Sequence, residues 1–107
     1  MFGFGKKKID DRKLGFITIE VQMFQSWTLD YRRCDLSSEE LKMIITAIFE
    51  REKLSYSSEH VSFAVMACLT QMDYSSINKF RTQSNFDQQV AGFCRSIGLP
   101  SKYYTPA

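Results

Sequence analysis

The residues best suited to catalysis or metal binding are a single histidine, His60, and three cysteines, Cys34, Cys68 and Cys94. A Cys–His nucleophile pair or a zinc site needs such side chains within bonding reach of one another. Cys68 follows His60 by eight residues, and on a helix that separation is about 12 Å. The sequence has no Cys-x-x-Cys motif and no second histidine. We therefore expect no catalytic site, no metal and no other cofactor, and the chain is predicted not to be an enzyme.

The acidic and glycine residues support the same expectation. The carboxylate pairs, such as Glu39–Glu40, lie among basic residues or at helix starts, where solvation and capping account for them. Gly3 and Gly5 follow no strand and have no further glycine in register, so they do not form a phosphate-binding loop.

Cysteine usage and the N-terminal residues predict a cytoplasmic protein with free thiols. The cysteines are odd in number and widely spaced. The chain begins Met-Phe-Gly-Phe-Gly-Lys-Lys-Lys, whereas a secretory signal places its charge before its apolar segment. Cys68 and Cys94 lie on apolar stripes and are expected in the core. Cys34 follows two arginines, which favour a reactive thiolate.

The composition indicates one small helical domain. The chain has 107 residues, 44% hydrophobic and 24% charged, which excludes a disordered chain. No apolar run reaches the ~18–20 residues of a membrane span. Glycine is absent between residues 16 and 91, and the only prolines are Pro100 and Pro106. Because tight β-turns favour glycine, we predict a mainly α fold, a compact bundle of four or five helices.

Residues 14–33 are the ambiguous segment. Ile17, Ile19 and Val21 alternate with polar residues, which is the strand period. The segment also contains an apolar stripe at helical spacing, formed by Leu14, Ile17, Val21, Phe24, Thr28 and Tyr31. We favour a helix; the alternative is an α+β fold with strands in residues 16–31 packed on three or four helices.

The other helices have clearer signals. Ser37 and Glu40 form a capping box that predicts a helix over residues 38–53. Nine of the twelve residues from Val61 to Met72 are apolar, which predicts the central helix of the bundle. A short helix is expected within residues 73–84. A last helix is predicted to begin after Asn85 and to end at Gly98.

The predicted domain covers residues 14–100, between a flexible basic arm over residues 1–13 and a flexible tail over residues 101–107. The arm is a candidate for contact with an anion or a membrane. Its positive residues are Lys6, Lys7, Lys8, Arg12 and Lys13, with Phe2 and Phe4 as apolar anchors.

The aromatic content favours a binding function. Nine Phe, five Tyr and one Trp are many for a core of this size, and interfaces are enriched in aromatic residues and Arg. We predict a contact patch of Trp27, Tyr31, Arg32 and Arg33. The expected function is a non-catalytic protein-interaction module, an adaptor or inhibitor that occupies a partner's surface, with homodimerisation a further option. Alternatives are a nucleic-acid-binding regulator that uses the arm, or a peripheral membrane protein.

Overall fold

The computed structural model describes residues 7–105 and is mainly helical, as predicted. A two-residue parallel pairing joins β1 to β2, a π-helical turn follows α1, and a 3-10 turn lies near the end of the described chain. The elements are β1 (Lys7–Lys8), α1 (Asp11–Trp27), the π-helical turn (Thr28–Arg32), α2 (Ser38–Arg51), β2 (Leu54–Ser55), α3 (Ser58–Thr70), α4 (Tyr74–Arg81), α5 (Phe86–Ser96) and the 3-10 turn (Ser101–Tyr103).

The ambiguous N-terminal segment is a helix and forms the centre of the bundle. Asp10 caps α1 by accepting a 2.8 Å hydrogen bond from the Lys13 N–H. Nine of the seventeen residues of α1 are buried, and α1 contacts each of the other four helices. The expected stripe is buried from Leu14 through Thr28, and only Tyr31 at its end is exposed. The strand alternative is therefore wrong.

The capping box of α2 forms as predicted. The Ser37 hydroxyl accepts from the Glu40 N–H at 3.1 Å, and the Glu40 carboxylate accepts from the Ser37 N–H at 2.9 Å. The helix ends at Arg51, two residues before the predicted end. Lys53 adopts a left-handed conformation with φ of 55°, which turns the chain into β2.

Helix α5 forms after Asn85, as predicted, and buries Phe86, Val90, Phe93 and Cys94. Asn85 is at the N-cap, but its side chain accepts from Gln89 rather than from the helix backbone. Gly98 has the expected positive φ, 77°.

Helix α3 is not the central helix that its composition predicts. Val61, Ala64 and Cys68 are buried on one face. The opposite face is exposed although it carries large apolar side chains. The centre is taken by α1, whose buried face includes polar residues that the sequence pattern does not mark as core.

A buried amide on α1 holds the end of α3. Gln22 is 1% exposed, and its Nε2 donates to the carbonyl oxygens of Gln71 at 3.1 Å and Ala67 at 3.4 Å. Its Oε1 accepts from the Asp73 N–H at 3.1 Å, in the turn that leads to α4. The last carbonyls of a helix have no partner within it. Gln22 supplies a donor to the Gln71 carbonyl, and it shares the Ala67 carbonyl with the Gln71 N–H, which donates to that oxygen at 2.8 Å.

Both ends of the described chain make contacts that lie outside residues 14–100. Helix α1 begins at Asp11, and the main chain before it pairs with β2, so the folded part starts earlier than residue 14. Tyr103 and Tyr104 are half-buried against the core, and the Arg95 guanidinium lies 5.8 Å from the Tyr104 ring centroid. These contacts extend the domain beyond residue 100.

The Gln22 contacts predict a measurable difference between two matched substitutions. Gln22→Met removes the three hydrogen bonds that the buried amide makes to partly buried backbone groups and should lower the free energy of unfolding by about 2–3 kcal/mol. Gln25→Met removes one bond, a 3.2 Å contact with the Cys68 carbonyl, and also removes a buried Oε1 that has no hydrogen-bond partner among the described residues. It should cost less than about 1 kcal/mol. Urea denaturation measures both, and equal losses would contradict the assigned role of Gln22.

Candidate protein-interaction surface

Trp27, expected in a contact patch, lies in the core. It is 1% exposed, and its indole Nε1 donates to Asp87 Oδ1 at 2.9 Å. Its ring stacks on Tyr31 with 5.7 Å between centroids, and Phe24 stacks on it at 6.4 Å. The π-helical turn carries Tyr31 over the indole, which corrects the placement of Trp27 as a surface residue.

The other members of the predicted patch remain accessible to different degrees. Tyr31 is 43% exposed, Arg33 is exposed with a left-handed φ of 57°, and Arg32 is half-buried. Leu29, 41% exposed, lies on the same turn. We call Leu29, Tyr31 and Arg33 the Tyr31 corner. Binding of a partner by Tyr31, Arg32 and Arg33 stays a prediction.

The basic residues of the predicted arm belong to two elements. Lys7 and Lys8 are exposed in β1, and Arg12 and Lys13 lie in the first turn of α1. The Arg12 guanidinium lies 5.6 Å from the Phe16 ring centroid, a cation–π contact. Lys6, Phe2 and Phe4 lie outside the described residues.

The histidine caps a helix, and the thiols are free, two of them buried. His60 completes the capping box of α3, where its Nδ1 accepts from the Ser57 N–H at 3.1 Å. Cys34 is exposed, whereas burial raises the pKa of the Cys68 and Cys94 thiols to about 12. Within residues 7–105, no three His, Cys, Asp or Glu side chains are grouped so that they could hold a metal ion.

Helix α3 carries three large apolar side chains that are exposed to solvent. Phe63, Met66 and Leu69, which we call the α3 strip, are 63%, 55% and 49% exposed. Their spacing of three residues places them along one side of the helix, away from buried Val61 and Cys68. No charged residue occurs from Val61 to Met72. The sequence indicates this surface. A helix that is apolar on all sides has a second apolar face that must be buried against another element or a partner.

Both ends of α3 are held in place. The Ser57–His60 capping box closes its first turn, and the amides of Gln22 and Gln25 bind carbonyls in its last turns. The strip is therefore presented on a helix whose termini are satisfied by the chain itself.

Charged side chains flank the α3 strip on one side. A cleft of about 200 Å³ separates α2 from α3 and is lined by Glu39 and Lys42 together with Val65 and Met66. An apolar centre beside a charged border is the usual arrangement of a protein interface.

Comparison of the chain with protein-family models, curated proteins and solved structures finds no match. In the part of the chain that the structure describes, every helix is too short or too polar to cross a membrane.

The buried position of Trp27 predicts that its truncation acts on stability. Trp27→Ala should lower the free energy of unfolding by about 3–5 kcal/mol, the cost of a large core cavity. Tyr31→Ala, at a half-exposed position, should cost about 1 kcal/mol. Urea denaturation followed by circular dichroism compares them; a Trp27→Ala protein as stable as Tyr31→Ala would contradict the core assignment.

The thiols should separate into one reactive and two unreactive groups. A thiolate is the nucleophile, so thiols whose pKa burial raises to about 12 stay protonated and unreactive in mildly alkaline buffer. Titration with DTNB should modify one thiol, Cys34, in the folded protein and all three in guanidinium chloride. Three fast thiols without denaturant would contradict the burial of Cys68 and Cys94.

Proposed function

We propose that this chain is a non-catalytic protein-interaction module that binds a partner protein through the α3 strip and acts as an adaptor or inhibitor by occupying the partner's surface. The observation that carries this proposal is the exposure of Phe63, Met66 and Leu69, at 63%, 55% and 49%, on a helix whose other face is buried in the core. Clustered exposed apolar side chains mark contact sites on small domains.

Energetics support a contact that depends on a few side chains. Full burial of a Phe, Met or Leu side chain contributes about 1.5–3 kcal/mol, so covering the exposed half of each contributes about 1 kcal/mol. Each substitution by serine should therefore weaken binding about five-fold. The three residues alone supply only part of a stable interface, and the remainder falls to the border that includes Glu39 and Lys42.

Pre-organisation also favours this surface. Association costs free energy wherever it orders side chains or loops. The α3 strip lies on a helix with a formed capping box at one end and amide contacts at the other, so binding does not have to order its backbone.

The chemistry of the strip describes the partner. The segment from Val61 to Met72 has no charged residue, so it suits an apolar patch on the partner. A charge on the partner that was buried against this segment would be unpaired and costly. Glu39 and Lys42 offer charges of both signs at the edge, which affects orientation more than affinity. A second copy of the chain meets these requirements as well as a different protein does.

The proposal predicts the loss of one partner from a captured complex. Tagged wild type, Met66→Ser/Leu69→Ser and Met43→Ser proteins are compared in nuclease-treated lysate of the native cells, with bound proteins identified by mass spectrometry. Met43 is 45% exposed but lies on α2, so Met43→Ser is a matched control. Wild type and the control should retain the same stoichiometric protein, and the double variant should lose it.

Further arms of this experiment separate the alternatives. Sedimentation velocity of the pure protein should show a dimer if the partner is a second copy. A complex lost only by Tyr31→Ser would move the binding site to the Tyr31 corner. Recovery that disappears after nuclease treatment, or that the double variant retains in full, would contradict docking through the α3 strip.

A further inference from the structure

A second surface of the molecule is concave and lies away from the α3 strip. A groove of about 780 Å³ runs between α1 and α5. Its apolar lining comes from α1, α4, α5 and β2 and includes Phe16, Ile17, Met23, Leu54, Phe80 and Phe93. Its volume lies in the range of about 300–1,000 Å³ that small-molecule sites occupy.

A glycine forms part of the α5 side of this groove. Gly92 is an exposed residue within α5, and a Cβ atom placed there would meet nothing within 4 Å. Glycine in a helix interior costs about 1 kcal/mol relative to alanine. Steric crowding therefore does not explain glycine at this position, and a larger side chain there would stand at the edge of the groove.

The carboxylates in the groove form salt bridges, whereas two of its lysines form none within the described chain. The Arg51 guanidinium binds Glu20 at 2.9 Å and Glu52 at 3.1 Å, so both lining carboxylates are paired. Lys7 and Lys13 also line the groove, and neither forms a salt bridge with any residue of the described chain. The groove thus combines an apolar lining with two cations that have no counter-charge in the described fold.

The lining residues of α1 show that the groove runs along the axis of this helix, so an elongated ligand would lie parallel to it. Lys13, Phe16, Ile17, Glu20 and Met23 all line the groove, so the groove follows one side of α1 from its first turn. Lys13 to Met23 spans about 15 Å along the helix axis, comparable to a medium-length acyl chain.

We propose that the α1–α5 groove binds an anionic amphiphile, a carboxylate with an unbranched acyl chain. The chain lies along Phe16, Met23 and Phe93, and the carboxylate lies by Lys13, in the first turn of α1, with Lys7 adding positive charge to the groove. A neutral chain would leave the lysines unpaired, and a cationic one would be repelled. This proposal does not depend on docking through the α3 strip.

The test uses dodecanoate below its micelle concentration, followed by isothermal titration calorimetry and by amide chemical shifts. Binding should be saturable with one ligand per chain, and the shifts should cluster around Phe16, Met23, Gly92 and Phe93. Dodecyltrimethylammonium and dodecyl maltoside should bind at least about tenfold more weakly, as expected on loss of a charge-assisted contact. Equal binding of the three probes, or shifts elsewhere, would overturn the proposal.

Matched variants separate the groove from the general surface. Gly92→Leu fills the open side and should reduce dodecanoate affinity at least about tenfold, whereas Gly15→Leu, at another exposed helical glycine with free space, should not. Lys13→Glu should weaken dodecanoate about tenfold and leave dodecyl maltoside unchanged. Thermal melts confirm that each variant folds. Dodecanoate affinity unchanged in Gly92→Leu, or sedimentation with anionic vesicles in place of dodecanoate binding, would overturn the proposal.

Discussion

The buried amide of Gln22 is the contact on which the arrangement of the helices depends. It joins α1 to the last carbonyls of α3 and to the Asp73 N–H at the start of α4. An unpaired amide at a position 1% exposed would be costly, so α3 and the start of α4 are held where those bonds form. In this arrangement α3 packs one face against the core and turns Phe63, Met66 and Leu69 outward.

The local signals in the sequence predict much of the fold. The Ser37–Glu40 capping box, the start of α5 after Asn85, and the positive φ of Gly98 all follow from short-range rules that tertiary packing did not override. The mainly helical class follows from the same signals together with the rarity of glycine and proline.

The identity of the central helix could not be predicted, because it depends on contacts between distant residues. Helix α3 is the more apolar by composition, yet α1 is central and buries Thr18, Gln22 and Ser26. Gln22 tolerates burial because its amide is hydrogen-bonded. Its partners lie about fifty residues away in sequence, so no local pattern reveals them. The prediction of Trp27 as a surface residue is wrong for the same reason, since its indole N–H binds Asp87, sixty residues away in sequence.

The measurement that tests the central claim most directly is hydroxyl-radical footprinting of Met43 and Met66, in intact native cells and in dilute purified protein. The two side chains are 45% and 55% exposed on different helices, so they should oxidise at similar rates in the purified protein. A partner on the α3 strip should protect Met66 in cells while Met43 stays reactive. Equal oxidation of both in cells would contradict the α3 strip as the interaction surface.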